Sequence, residues 1–452
     1  MTRLRWVTAL AAALATAGCG DLLVPDYNNP SLEELERNPT PAAVAAAATG
    51  LLVGGRDEFD DRNGYVSLLG ILGRESYNFD GADPRFITEM LEGSLNPSSP
   101  AFGGNLWAER YRNIRTGTTI LNALGRVGAY SDEQKRATAG FVKTIQAHEL
   151  LLIINTRDMN GAVIEFDREP TAEPGPLVGR DAVLARVASL LDEAKGDLDQ
   201  GGSAFPFPLS SGFAGFDTPV TFARFNRALK ARVEAYRANW AEVLTALQGS
   251  FLTVDPAALD LGVYHAFGTG SGDDQNELYD PGDSPDILAH PAIVADAEQR
   301  ANGEPDLRVQ RKIRTLPATR TVRSITTGVA FTIYDGLSAP IPIIRNEELI
   351  LLRAEAHIGL NNAALALDDL NFIRTNSGGL PPLLLPTQAT VTELLRQRRY
   401  SLMFEGGHRW IDVRRYNRMS DLPLDRPNHQ LNAAFPVPEA ECLARGLQTC
   451  SA

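Results

Sequence analysis

The segment from Arg398 to Arg415, RRYSLMFEGGHRWIDVRR, decides how this chain reads. Arg398, Arg399, Arg409, Arg414 and Arg415 stand against Glu405 and Asp412, with Tyr400, Phe404 and Trp410 among them. No nucleophile is spaced to a base, and no metal-ligand pattern occurs. Both acids have arginines three or four residues away, as Glu405–Arg409, Asp412–Arg409 and Asp412–Arg415. That spacing supports ion pairs on a helix and lowers a carboxyl pKa. A general acid needs a raised one. A glycosidase carboxylate pair is therefore the poorer reading of Glu405 and Asp412. The segment reads as a charged joint, bolted by aromatics, that locks the last helices, 390–404 and 409–415, to the C-terminal tail.

Helical signals extend upstream. Pro41 opens a helix over 41–52 from a first-turn position. A second covers 105–124. Ser131 caps a third that runs to about residue 155, with Asp132 and Glu133 in its first turn. Over 180–198, Val183, Leu184, Val187, Leu190, Leu191, Ala194 and Leu198 form one apolar stripe. Helices over 221–238 and 241–247 make a pair, as do 346–358 and 362–373. The two pairs echo one another. Glu234–Ala235 leads to Leu244 at the spacing by which Glu355–Ala356 leads to Leu365. Such units look like the helix–turn–helix of a tetratricopeptide repeat, about 34 residues long. Small alanines let the helices approach, and Gly359 is expected to supply the left-handed turn.

Between the pairs lie stretches rich in Gly, Pro, Ser and Asp, 205–216 and 268–291. Residues 317–344 carry β-leaning runs around Val322, Ile325 and 329–334. Long ordered loops on a rigid frame are where binding sits. Sugar recognition needs flat aromatic faces beside polar groups, which makes Tyr77, Asn78, Phe79, Asp80, Tyr264 and Tyr279 the candidate ligand-binding residues. The acidic loop 273–286 could offer oxygens to calcium, but its spacing fits no calcium loop and a solvated loop is the better reading. The histidines are scattered, and Gly268 to Gly272 lacks the lysine of a phosphate loop. No catalytic residue, metal site or cofactor is expected.

The chain has 452 residues, 44% hydrophobic and 22% charged, with a net charge of −13. This is an ordinary globular composition. The negative balance argues against general nucleic-acid binding and against electrostatic docking on anionic lipid. Residues 1–18 read as a signal peptide, with Arg3 and Arg5 before an apolar run, 6–17, too short to span a bilayer. Ala17 and Gly18 then precede Cys19, which resembles a bacterial lipobox with Cys19 as the lipidated first mature residue. Thr16 departs from the usual Leu or Val, and a plain secretory signal is the alternative. Residues 19–40 read as a tether. In an exported chain Cys442 and Cys450 meet the conditions for a disulfide that pins the tail. A metal pair, the other reading, lacks further ligands nearby.

The Arg398–Arg415 segment resembles the C-terminal signature of SusD/RagB-type nutrient-binding outer-membrane lipoproteins, RR-x-E-L-x-F-E-G-x-R-W-x-D-L-x-R. Arg398, Arg399, Leu402, Phe404, Glu405, Gly406, Arg409, Trp410, Asp412 and Arg415 fit it. Ser401 replaces the usual Glu, and Gly407 is an added glycine. Asp306 and Arg308 match a D-x-R element, and FPVPEAE over 435–441 resembles the closing F-P-I-P-x-x-E. The resemblance implies a mainly α fold: an α-solenoid of about four tetratricopeptide-like helix pairs with long loop-rich insertions. It implies a single helical domain over 41–452, with variable loop regions around 65–100, 201–220 and 252–345. It implies a non-enzymatic surface lipoprotein of a Gram-negative outer membrane. Such a protein captures an oligosaccharide, or a similar oligomeric nutrient, and delivers it to a TonB-dependent, SusC-like transporter. Two other classes stay open. One is a surface glycoside hydrolase, which a raised-pKa carboxylate in a cleft would support. The other is a scaffold or adhesin lipoprotein that grips a peptide.

Overall fold

Ser131 shows how the sequence starts its helices. Its hydroxyl accepts from the Gln134 N–H at 3.2 Å, and the Gln134 side chain accepts from the Ser131 N–H at 3.0 Å, a reciprocal cap that satisfies two exposed donors. The computed structural model describes residues 32–99, 105–168 and 171–447. Cys19, the signal segment, most of the tether and Cys450 lie outside them. Eleven helices of eight residues or more occur among the described residues: α1 Pro41–Gly54, α2 Tyr65–Leu72, α3 Asn105–Leu124, α4 Asp132–Arg157, α5 Arg180–Leu198, α6 Pro219–Tyr236, α7 Trp240–Gln248, α8 Asn346–Gly359, α9 Ala363–Asn376, α10 Val391–Ser401 and α11 His408–Arg415.

The helices stack in chain order. From α3 to α9 each packs on the next, α8 also packs on α10, and α10 packs on α11. The fold is mainly α, a solenoid of tetratricopeptide-like pairs. The left-handed turn residues are Ala238, with φ 56°, and Asn361, with φ 60°. Gly359, expected in that role, lies instead in the last turn of α8. A Cβ there would meet the Trp240 ring nitrogen at 2.4 Å. Its missing side chain serves the close approach of α7 to α8, not the turn.

Among the described residues, four two-stranded antiparallel sheets lie between the helices. Ser76–Asn78 pairs with Ile287–Ala289, Ala162–Val163 with Leu177–Val178, and Gly262–His265 with Ile341–Arg345. The β-leaning run is realised as a hairpin, Ile313–Val322 against Ile325–Phe331. The stretch 65–100, expected as a loop region, begins with α2. Its sequence, YVSLLGIL, is apolar all round, and all eight residues are buried.

Three apolar clusters result. α1 and α3 to α7 build the first. α8, α9 and α10 build the third. The second joins α2, the hairpin and the strand 287–289 to Tyr400, Met403, Phe404, Trp410 and Phe435. The Arg398–Arg415 joint thus belongs to the loop-side core as well as to the last helices and the tail.

Its ion pairs only partly follow local spacing. Asp412 accepts from Arg398 Nε at 2.6 Å and from Arg415 Nη2 at 2.8 Å. Arg415 Nη1 also donates to Glu355 Oε1 at 2.8 Å and to the Ala235 carbonyl at 3.3 Å. The two echoing Glu–Ala pairs therefore meet on one guanidinium. Glu405 does not pair with Arg409, nor Asp412 with Arg409. Phe404, Gly406 and Gly407 take positive φ of 55°, 139° and 73°, which breaks the helix and cancels the i,i+4 register. Glu405 turns to Arg345, whose Nε and Nη2 lie at 2.9 and 3.0 Å, and to Lys312 Nζ at 2.9 Å. Burial pushes the Glu405 carboxyl up, but Arg345 and Lys312 outweigh it and hold it below its ordinary value. Burial likewise opposes Arg398 and Arg415 at Asp412, and the arginines win. Neither group is a general acid.

Ser401 is fully buried. It donates to Glu347 Oε1 at 2.6 Å and accepts from Arg308 Nη1 at 2.9 Å. The serine relays between an acid and a base where the signature has a charge. Arg399 pairs with Asp296 at 2.9 Å. Trp410 Nε1 donates to the Asn432 carbonyl at 2.9 Å, and the ring meets Phe435 edge-on. Cys442 is buried and disulfide-bonded. Its expected partner, Cys450, lies outside the described residues.

Candidate functional site

A cavity of about 620 Å³ opens where α3 meets two loops, 55–64 and 273–279. The first loop is held tightly. Glu58 takes φ 55°, and the Tyr65 N–H donates to its carbonyl at 2.8 Å. A Cβ on Gly64 would meet that carbonyl at 2.7 Å, so only glycine lets the loop close. Phe59 anchors it, stacked on Tyr65 and tilted on His265.

Charge laces the loops together. Arg56 Nη1 donates to the Ala266 carbonyl at 2.6 Å and to Asp273 Oδ1 at 2.7 Å. Asp60 Oδ2 accepts from the Glu277 N–H at 3.1 Å. Arg62 pairs with Asp286 at 2.7 Å. The acids of the 273–286 loop are thus partly spent on arginines. Among the described residues no group of three or more His, Cys, Asp or Glu side chains is arranged to hold a metal ion.

The cavity wall is unusually acidic, with Asp57, Glu58, Asp60 and Asp61 from one loop and Glu109, Asp274 and Glu277 around them. Burial pushes the Glu58 carboxyl up to about 8, Asp60 to about 7 and Asp61 to about 6. Nearby acids add to each shift. Glu58 Oε2 is buried without a hydrogen-bond partner. A carboxyl raised this far, as at Glu58, can both donate and accept hydrogen bonds near neutral pH, which suits hydroxyl-bearing ligands. The local signal was the run RDEFDDR at 56–62, four acids in five residues between arginines. Sequence reasoning passed over it.

The folded-state pKa of Asp60 lies above its unfolded value of 3.8. The folded state therefore holds a proton that the unfolded chain has lost, and stability falls as pH rises from about 4 to 7. Asp60→Asn is expected to gain roughly 1–3 kcal/mol on the wild type between pH 5 and pH 8. Thermal unfolding at the two values checks this. An unchanged difference between variant and wild type would contradict it.

The six candidate ligand residues do not converge. Tyr279, half-buried, lines the 620 Å³ cavity. Tyr264 lines a separate cavity of about 320 Å³, across Arg56, and another of about 440 Å³. Tyr77, Asn78 and Phe79 are 1%, 2% and 2% exposed and cannot meet a ligand. Tyr77 and Asn78 belong to a covered strand, and Phe79 follows it directly. Tyr77 donates to Asp425 at 2.8 Å, and Phe79 lies under the Arg320 guanidinium. Asn78 Nδ2 donates to the Arg62 carbonyl at 3.1 Å, so it braces the cavity loop from behind. Asp80 is half-buried and accepts from the Ala82 N–H at 2.8 Å. No helix among the described residues is long and apolar enough to cross a membrane.

No curated protein matches this sequence. Solved structures do. Surface glycan-binding protein A from Bacteroides thetaiotaomicron, in complex with laminarihexaose, has a TM-score of 0.68 at 14% identity, over 90% of this chain and 98% of its own. A laminarin-binding SusD-like protein gives 0.68 at 17% identity, over 90% and 98%. A SusD superfamily protein from Bacteroides vulgatus ATCC 8482 gives 0.67 at 14% identity, over 90% and 97%. At these identities the likeness establishes the fold. The SusD family model itself matches residues 310–437, which hold Arg345, the Arg398–Arg415 joint and the start of the closing FPVPEAE. The chain thus has the fold of SusD-like proteins, and its residues 310–437 match the SusD family.

Proposed function

We propose that this protein is a non-catalytic binding protein of the outer-membrane surface, anchored through lipid on Cys19. It captures an oligosaccharide and hands it to a TonB-dependent, SusC-like transporter. The observation that carries the reading is the open cavity beside Tyr279. An aromatic face there adjoins a wall of carboxyls, amides and guanidiniums matched to sugar hydroxyls. Relatives of the same fold that bind laminarin or laminarihexaose favour a glycan over a peptide.

A glycan array probed with the chain beginning after Cys19 tests the ligand class. Tyr279→Ala is expected to weaken the selected glycan about tenfold; undiminished binding would move the site elsewhere. Cys19→Ala is expected to release the protein from membranes, and retention would contradict the anchor. A tagged chain extracted from membranes should bring down a β-barrel transporter. If it never does, the delivery step fails.

The raised carboxyls favour one other reading, a surface glycoside hydrolase. Hydrolysis needs a protonated and an ionised carboxyl on either side of the glycosidic bond. Glu58, Asp60 and Asp61 instead crowd one loop, and burial shifts all three the same way. Release of reducing sugar that Glu58→Gln abolishes would reverse this judgement.

A further inference from the structure

A second cavity, about 280 Å³, lies beside the joint and shares no residue with the Tyr279 cavity. Arg396, Arg399, Arg409 and Arg418 line it. Every carboxylate there is already engaged. Asp412 is held by Arg398 and Arg415, Asp421 by Arg418 at 2.7 Å, and Asp296 by Arg399 at 2.9 Å. Arg409 is left over. It is 8% exposed and donates to the Arg74 carbonyl at 2.8 Å. Among the described residues no carboxylate comes within ion-pair distance of it. Glu75 approaches from the core side, but burial pushes its carboxyl up to about 7 and one of its oxygens has no partner. Arg399 has Nε and Nη2 buried without hydrogen-bond partners, and its guanidinium lies over the Tyr400 ring at 5.5 Å.

A buried guanidinium without a counter-charge, as at Arg409, is costly. Arg399 lines the same cavity, with its pair to Asp296 made through one nitrogen only, and two such planar forks side by side suit an oxyanion. We propose that this cavity binds a small oxyanion, a carboxylate or sulfate group, between Arg399 and Arg409, with Arg396 and Arg418 at the rim. The group is supplied either by a free inorganic anion or by an acidic sugar. Neighbouring elements set the selectivity. Asp296, Asp412 and Asp421 repel a bulky polyanion and leave room for one charged group.

Isothermal titration of the full chain in detergent, at matched ionic strength, tests this with sodium sulfate, sodium glucuronate and sodium chloride. Saturable heat with sulfate or glucuronate, and none with chloride, is expected. Arg399→Gln should weaken the binding about tenfold or more. Arg418→Gln, at the more exposed rim, should weaken it less, and Arg186→Gln, which lines neither cavity, should leave it unchanged. Sulfate binding as tight as glucuronate supports a free anion as the source; tighter glucuronate supports an acidic sugar. Circular dichroism checks that each variant is folded. Absence of heat with both anions, or binding unchanged in both Arg399→Gln and Arg418→Gln, overturns the proposal.

Discussion

Replacing Arg345 with alanine is expected to lower the unfolding free energy by about 3–5 kcal/mol. Arg345 ends the strand 341–345 and precedes α8, and it is 4% exposed. Its guanidinium holds Glu405 through two hydrogen bonds, Glu347 through a third and the Ser401 carbonyl through a fourth. Truncation leaves two buried carboxylates short of their main counter-charge. Lys312 still reaches Glu405, and Ser401 still reaches Glu347, so the loss stays below that of an isolated buried charge. Glu405 and Glu347 both titrate below their ordinary value of 4.5 in the folded state, because Arg345 and Lys312 outweigh the opposing effect of burial. Their contribution is complete above pH 4.5 and is lost as pH falls through the folded values. The gap between wild type and Arg345→Ala should therefore narrow in acid. Urea unfolding at neutral pH and near pH 3 checks both statements. Arg62→Ala is the control. Its pair with Asp286 is partly solvated, with side chains 45% and 30% exposed, and its loss should cost under about 1 kcal/mol. Equal losses from the two variants would refute the network.

Gly407→Ala is expected to cost about 2–5 kcal/mol, from two additive causes. The residue sits before α11 at φ 73°, where a Cβ costs about 1–2 kcal/mol. That Cβ would also stand 2.3 Å from Leu69 Cβ on α2, and relieving such overpacking costs about 1–3 kcal/mol. Leu69 is fully buried and has no room to withdraw. Gly270→Ala makes the comparison, since a Cβ there meets nothing within 4 Å and should be almost neutral. A Gly407→Ala melting curve that overlays the wild type would disprove this packing of α11 on α2. The added glycine, a departure from the family signature, is thus explained by a contact made more than three hundred residues away in sequence.

Much of the frame was legible because its causes are local. The stripe from Val183 to Leu198 repeats with the helical period, and α5 covers Arg180–Leu198 as the stripe predicts. Ser131 and Gln134 lie within one turn, so the cap at α4 needed no distant information. The Asp412–Arg415 pair is a neighbour relation on one helix and was equally readable. The site was less legible. Tyr77 and Phe79 sit in a polar-looking stretch, but the strand 287–289 and Arg320 cover them. The acids at 57–61 look like a solvated run, but burial against α3 and the 273–279 loop, with neighbouring acids adding to it, raises their pKa values.

The sequence by itself determined the helical frame and the Asp412–Arg415 pair, because periodicity, capping and one-turn spacing are written in neighbouring residues. Tertiary structure alone decided that Glu405 answers to Arg345 and Lys312, that Gly359 and Gly407 are packing contacts, and that the open cavity lies at Tyr279. Burial and charge pairing across 60 or more residues depend on which surfaces meet, and that information exists only once the chain has folded.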